Sequence, residues 1–143
     1  MARAEKSIDV NVNVDKVFDL WSNFAIFPRF MENIREIREV RPGTFHWRAE
    51  APLGRTFQWD TEIVEKIPNA RITWRSISDG INQAGSVTLE PLPQGTRVTV
   101  VMDYETPAGT LGEAIAQLFI DPNLRLESDL RRFKEIVEGR MPL

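Results

Sequence analysis

Few side chains in this sequence have catalytic chemistry to offer. His46 is the only histidine among the 143 residues, and Asp60 follows in the next predicted strand. A histidine beside a carboxylate forms a general base with an orienting partner. One histidine cannot build a His-rich metal site, and the lack of cysteine excludes thiol nucleophiles and thiolate metal sites. We therefore expect no metal and no cofactor.

Three hydroxyl groups and one guanidinium are the other candidates. Tyr104, Ser76 and Thr61 could orient or protonate a bound carbonyl, and Tyr104, the only tyrosine, lies near the end of a predicted strand. The alternative is that these hydroxyls are satisfied by protein neighbours at the rim of the sheet. Arg38 is a candidate partner for an anion only if its strand turns that side chain inward.

Charge and hydropathy limit the partners. The formal net charge is −3 and the pI is near 5.3, which argues against sequence-independent binding of nucleic acid. No apolar run approaches the roughly 20 residues that cross a bilayer, so stable membrane insertion is not expected. The first residues, MARAEKSIDV, lack the apolar segment of a secretory signal. We expect a cytoplasmic protein with one domain over residues 1–143.

Periodicity indicates an α+β chain. SIDVNVNV alternates like a half-buried strand, and short amphipathic helices follow at residues 14–22 and around 24–31. Turn signals between residues 33 and 105 then delimit six antiparallel strands. After Thr106-Pro107 the spacing becomes helical through Leu118 and Phe119, breaks at Asp121-Pro122, and resumes to residue 138. The order is β-α-α-β6-α, with the long C-terminal helix covering one face of the sheet.

The turns also predict which residues face each other. A loop centred on Leu53 places Trp47 opposite Trp59. A turn with Pro68 and Asn69 at its centre places Ile63 opposite Trp74. The same registers pair His46 with Asp60, Glu62 with Arg75 and Glu90 with Arg97 on the other face, where opposite charges suit solvent. His46 and Asp60 are therefore interpreted as an outer ion pair rather than a catalytic pair.

One strand is ambiguous. In ENIREIREVRPG the apolar residues Ile34, Ile37 and Val40 are three apart, which does not fit alternation. A tight hairpin at Pro42-Gly43 would turn Arg38 inward beside Trp47, whereas a β-bulge would turn Ile37 inward. The bulge is favoured because an unpaired buried arginine is costly.

The inward face combines large apolar side chains with polar atoms that need partners. A dry core avoids such a mixture, while a cleft lined by aromatic residues with a few polar groups has this composition. Core packing and cavity lining can share one face. The predicted ligand-binding residues are Trp47, Trp59, Thr61, Ile63, Trp74, Ser76, Val87, Val100, Met102, Tyr104, Leu118 and Phe119.

The chain resembles the START-like (SRPBCC, helix-grip) superfamily, and within it the polyketide cyclase/dehydrase branch, which is similar to coenzyme Q-binding START-type proteins. The matching segments are WSNFAIFPRFM (21–31), HWRAEAPLGRTFQWDTEI (46–63), ITWRSISDG (72–80), GSVTLEPLPQGTRVTV (85–100) and DPNLRLESDLRRFKEIVE (121–138). The resemblance implies a helix-grip fold, in which a curved antiparallel sheet of about seven strands wraps a long helix around an internal hydrophobic cavity. It implies an apolar ligand such as a lipid, polyketide or quinone, and transfers no catalytic motif.

Three functions stay open at this stage. The first is binding of a hydrophobic small molecule in the cavity. The second is a polyketide cyclase/dehydrase of the aromatase type, with Tyr104, Ser76 or Arg38 assisting enolisation of a poly-ketone. The third is a regulatory module, against which the acidic pI argues where RNA contact is concerned.

Overall fold

A seven-stranded antiparallel sheet forms the body of the chain. The computed structural model describes residues 2–50, 54, 56–77, 82–105 and 122–139, with the side chains of all of these except 2, 104, 105 and 122–124. The strands are β1 (Ala2–Val10), β2 (Ile34–Arg41), β3 (Thr44–Glu50), β4 (Thr56–Ile67), β5 (Arg71–Ser76), β6 (Asn82–Leu92) and β7 (Gly95–Glu105). Their spatial order is β1-β7-β6-β5-β4-β3-β2. Six strands follow one another along the chain as predicted, and the first strand pairs with the last.

Helical segments cover one face of this sheet, called the inner face below. Helix α1 (Val14–Ser22) and a 3₁₀ helix (Phe24–Arg29) follow β1, and the C-terminal helix (Pro122–Val137) packs mainly against β1. This confirms the α+β helix-grip fold. The C-terminal helix begins at the proline that the sequence indicated as a helix start. Leu118 and Phe119 lie outside the described residues. No helix within the described ranges is long and apolar enough to cross a membrane.

The predicted strand registers are confirmed. Trp47 pairs with Trp59, Ile63 with Trp74, and Val87 with Val100. The β4–β5 hairpin reaches its register by a route that the sequence did not reveal. Its turn is closed by the Ala70 N–H, which donates to the Ile67 carbonyl at 3.0 Å, and its ladder starts one residue out of step, with Ile67 opposite Arg71.

A bulge at Val64 then restores the pairing of Ile63 with Trp74. Asn69 supplies the positive φ, 60°, that the turn requires.

Strand β2 contains the bulge that the residue spacing indicated. The register shifts between Glu39 and Arg41 and again between Ile34 and Glu36. As a result Ile37 lies opposite Trp47 and is buried, while Arg38 lies opposite His46 and is exposed. Arg38 is thus on the outer face, so its candidacy as a catalytic or anion-binding residue was wrong. Turning it inward would bury a guanidinium among aromatic rings without a partner.

Aromatic side chains from the helices fill much of the space over the inner face. Phe24 stacks on Phe27 and on Phe45, with ring centroids 4.6 Å apart in both pairs. Trp21 meets Phe133 of the C-terminal helix at 4.8 Å. Such contacts join the 3₁₀ helix, the sheet and the C-terminal helix into one apolar core.

Polar contacts fix the C-terminal helix to both ends of the N-terminal helical segment. The Lys134 ammonium donates to the Asp9 carbonyl at 2.6 Å, and the Asn11 N–H donates to the Glu138 carboxylate at 2.8 Å. Further along the helix, the Arg132 guanidinium donates to the Phe30 carbonyl at 3.1 Å. These bonds reach the end of β1 and the end of the 3₁₀ helix, so they tie the C-terminal helix to both ends of the intervening segment.

Candidate ligand-binding site

His46 lies on the outer face, away from the helices. Its Nδ1 is 2.6 Å from the Asp60 carboxylate, and its Nε2 is 2.8 Å from the Gln58 side-chain oxygen. Hydrogen bonds to Asp60, and then to Gln58, raise the pKa of His46 above its ordinary value. Both ring nitrogens are thus within hydrogen-bond distance of outer-face side chains, so neither is directed toward the inner face. This pair is therefore an outer electrostatic contact, as the register predicted.

Three of the four tryptophans form one stacked layer on the inner face. Trp47 stacks against Trp59 at 5.6 Å and against Trp74 at 6.1 Å. Trp47 and Trp74 are 0% exposed, whereas Trp59 keeps 4% of its surface accessible. All three rings are therefore buried, and Trp59 is the one of the three that keeps a small accessible area.

The indole N–H groups of this layer differ in whether they have a hydrogen-bond acceptor. Trp47 Nε1 donates to Thr61 Oγ1 at 2.7 Å, and Trp59 Nε1 donates to the Gln83 side-chain oxygen at 3.0 Å. Trp74 Nε1 and Trp21 Nε1 are buried without an acceptor among the residues that the structure describes. A buried donor without an acceptor costs about 1–3 kcal/mol, so the polar partners of Trp47 and Trp59 matter for stability.

Polar residues from four adjacent strands lie side by side across this apolar face. Thr61 pairs with Ser76, the Gln83 N–H donates to the Ser76 hydroxyl at 3.0 Å, and Gln83 pairs with Tyr104. Tyr104 is placed by its backbone register alone. We call Thr61, Ser76, Gln83 and Tyr104 the polar row. The next row along the sheet has no polar side chain except a buried indole: Ile63, Trp74, Gly85 and Met102.

The predicted lining residues differ in how much surface they offer. Val87 and Val100 are as fully buried as the inner tryptophans. Ile63, Ser76 and Met102 are half-buried and lie at or beside the polar row. Whether any of them contacts a ligand stays a prediction.

Gln83 is a site residue that the sequence interpretation missed. It is 4% exposed and accepts the bond from Trp59. The alternation that identified Val87 extends back through Gly85 to Gln83, so the strand pattern contained the signal. Glutamine is uncommon in a buried strand position, and for this reason Gln83 was not predicted to face inward.

Gly85 brings the tryptophan layer close to the backbone of β6. A Cβ at this position would lie 2.4 Å from one carbon of the Trp74 ring and 3.0 Å from the Met102 sulfur. The ring therefore lies directly on the glycine, since any larger residue would displace it.

Comparison with known proteins connects this architecture to a family. The family described as polyketide cyclase / dehydrase and lipid transport matches residues 10–126. A 17.2 kDa protein encoded in the melC2-rnhH intergenic region of Streptomyces lincolnensis is 31% identical over 141 residues, covering 98% of this chain and 92% of that protein.

Solved structures show the same fold. DR_A0006 from Deinococcus radiodurans superposes with a TM-score of 0.79 at 27% identity, covering 97% of this chain and 99% of that one. The Zhui aromatase/cyclase from Streptomyces sp. R1128 has a TM-score of 0.78 at 16% identity, covering 97% and 94%. The chain belongs to the polyketide cyclase / dehydrase and lipid transport family.

Proposed function

We propose that this protein binds a hydrophobic small molecule, of lipid, polyketide or quinone type, against the polar row on the inner face of the sheet. The observation that carries the proposal is the polar row itself, four polar residues in register on a largely apolar face. A core built only for stability avoids polar groups, because each one needs a partner. A binding site needs a few of them to orient its ligand.

The surface beside the polar row suits an apolar ligand. Ile63, Ser76 and Met102 are half-buried there. Trp59 is connected to the polar row by its hydrogen bond to Gln83. In this proposal Trp47, Trp74, Val87 and Val100 shape the wall from behind, while Tyr104, Leu118 and Phe119 stay predicted contacts. The net charge of −3 fits a cytoplasmic protein without a nucleic-acid partner.

A matched pair of tryptophan substitutions tests the location of the site. Met102 and Val101 are neighbours on β7, half-buried on the inner and outer faces respectively. Met102→Trp should fill the space beside the polar row and abolish saturable binding of the neutral probe N-phenyl-1-naphthylamine. Val101→Trp should leave binding intact. Fluorescence titration measures both, with circular dichroism to confirm folding.

Native mass spectrometry of the untreated protein adds an independent readout. A co-purified apolar molecule, lost in Met102→Trp and kept in Val101→Trp, is the expected result. A wild-type protein that shows neither a bound molecule nor saturable probe binding would contradict the proposal.

A second candidate function, a cyclase acting on a poly-ketone, draws support from the same polar row. Positioned hydroxyl and amide groups beside an apolar surface can hold a flexible ketone in one conformation and assist enolisation. Arg38 has no part in it, since it lies on the outer face. Ser76→Ala and Tyr104→Phe should then abolish cyclised products, detected by mass spectrometry, without loss of binding. Unchanged product distributions with wild-type protein and buffer alone would reject catalysis.

A further inference from the structure

We infer that Gln83 determines ligand specificity, because its side-chain N–H group donates a hydrogen bond to a carbonyl-type acceptor of the ligand. Trp59 holds the amide in the orientation that this bond requires. This inference rests on the proposed function and specifies its ligand class. Gln83 is here a specificity-determining residue and Trp59 a positioning residue.

The orientation of the Gln83 amide follows from its partner. An indole N–H can only donate, so Trp59 must face the amide oxygen, and the structure has this bond at 3.0 Å. Rotating the amide by 180° would set an N–H₂ group against the indole N–H and leave both without an acceptor. Trp59 itself stacks on Trp47 at 5.6 Å, which restricts the indole. The amide nitrogen is therefore the half of Gln83 left for another partner.

The described hydroxyl groups beside Gln83 already have protein partners. Thr61 Oγ1 accepts from Trp47, and Ser76 Oγ accepts the Gln83 main-chain N–H at 3.0 Å and lies 3.5 Å from the Asn82 side-chain oxygen. In the part of the chain that the structure describes, no oxygen accepts a hydrogen bond from the Gln83 side-chain nitrogen. Among the described side chains of the polar row, the Gln83 amide nitrogen is thus the donor left for a ligand, and the Gln83 amide oxygen is already committed to Trp59.

Such a site discriminates between ligands because a poorly matched ligand leaves a polar group without a hydrogen-bond partner. A ketone, quinone or ester oxygen accepts from the amide and brings no proton of its own. A hydrocarbon displaces solvent from the amide and gives nothing in return. A hydroxyl can also accept from the amide, but the Gln83 amide oxygen, which is bonded to Trp59, cannot accept the proton of that hydroxyl.

Three probes of one shape test the inference: 9-fluorenone with a carbonyl, 9-hydroxyfluorene with a hydroxyl, and fluorene with neither. Isothermal titration calorimetry on the full chain measures their dissociation constants. We expect wild type to bind 9-fluorenone about three- to tenfold more tightly than fluorene, the range of one net hydrogen bond. Gln83→Met should remove that preference by weakening 9-fluorenone alone.

Further variants separate a loss of the ligand contact from a loss of folding. Gln83→Met leaves the Trp59 N–H without an acceptor, whereas Trp59→Phe combined with Gln83→Met removes both partners and leaves no orphan. The double variant should fold and bind the three probes with nearly equal affinity. Trp59→Phe alone frees the amide to rotate and should narrow the gap between 9-fluorenone and 9-hydroxyfluorene. Gln58→Met, the same substitution on the outer face, is the matched control and should keep the wild-type ranking.

The outcomes separate this inference from the proposed function. Equal affinity of wild type for the three probes, or a preference for 9-fluorenone that persists in the folded double variant, overturns the inference while hydrophobic binding stands. Failure of wild type to bind any of the probes overturns both.

Discussion

At the scale of single residues, the position of a side chain decides its chemistry more than its type. His46 and Asp60 have the residue types of a catalytic pair, yet they lie on the outer face with the imidazole bonded at both nitrogens. Gln83 is not a usual catalytic residue type, yet it lies on the inner face near the start of β6, with its amide oxygen bonded to Trp59. Register along a strand separates the two cases, because successive side chains point to opposite faces.

The titration of the single histidine tests this placement. NMR should find the His46 pKa above 6.5, and Asp60→Asn should lower it because a neutral amide replaces the carboxylate that favours the protonated ring. The sign for stability follows: a histidine whose folded pKa is raised stabilises the fold below pH 6.5, and that contribution disappears as the pH rises through the folded pKa.

Asp9→Asn, on the distant strand β1, is the control and should leave the titration unchanged. Displacement of the His46 pKa by a bound apolar probe would contradict an outer-face position.

At the scale of elements, the inner face depends on close contact between neighbouring strands and the tryptophan layer. Trp74 of β5 lies on Gly85 of β6, and Met102 of β7 borders the same point. The glycine removes the one side chain that would lift the ring off the sheet. Gly85 therefore fixes how closely the Trp74 ring approaches the sheet.

Gly85→Ala should destabilise the protein by about 1–3 kcal/mol, the usual cost of forcing a methyl group into a packed core. The added Cβ would lie 2.4 Å from the Trp74 ring, so the ring must move. Urea unfolding measures the loss, and the near-UV circular dichroism of the tryptophans should change. Ser86→Ala, on the opposite face of β6, serves as control with little effect. A variant with wild-type stability and spectrum would show that the layer is loosely packed.

At the scale of the whole molecule, the first strand is packed against the last strand and the C-terminal helix. β1 pairs with β7, and the C-terminal helix covers β1 and reaches the segment after the 3₁₀ helix. There Asp129 accepts the Glu32 N–H at 3.3 Å and pairs with Arg132 at 2.5 Å. Only 18% of its side chain is exposed, and burial raises the pKa of Asp129 to about 6 despite these partners.

This carboxyl gives global stability a pH dependence. Between its ordinary pKa of 3.8 and about 6, the folded state holds the Asp129 proton more tightly than the unfolded state does. Its contribution is therefore fully present below pH 3.8 and is lost as the pH rises through about 6, by at most about 3 kcal/mol. Asp129→Asn should remove this fall in the free energy of unfolding, measured by denaturation from pH 4 to 7.

Asp19→Asn, an exposed carboxamide exchange on α1, provides the matched control and should follow the wild-type curve. Parallel curves for wild type and Asp129→Asn would show that this carboxyl titrates normally.

Much of the fold was accessible from the sequence because turns and alternation are local. The turn residues around Leu53 and Pro93 placed Trp47 opposite Trp59 and Val87 opposite Val100. The unusual spacing of Ile34, Ile37 and Val40 indicated the bulge that keeps Arg38 outside. The bulge at Val64 was not accessible, since it compensates for a turn whose ladder starts one residue out of step.

The sequence by itself determined the order of the six consecutive strands and the faces of their residues, because both follow from neighbouring residues along the chain, and its segments carried the family resemblance. Only the tertiary structure decided which inner residues keep surface for a ligand and which are sealed. Trp47, Trp59 and Trp74 share one face by sequence, but rings from the 3₁₀ helix cover two of them. The bond from Trp59 to Gln83 likewise joins strands that are not adjacent in the sheet. Contacts of this kind depend on three-dimensional packing, which local pattern does not encode.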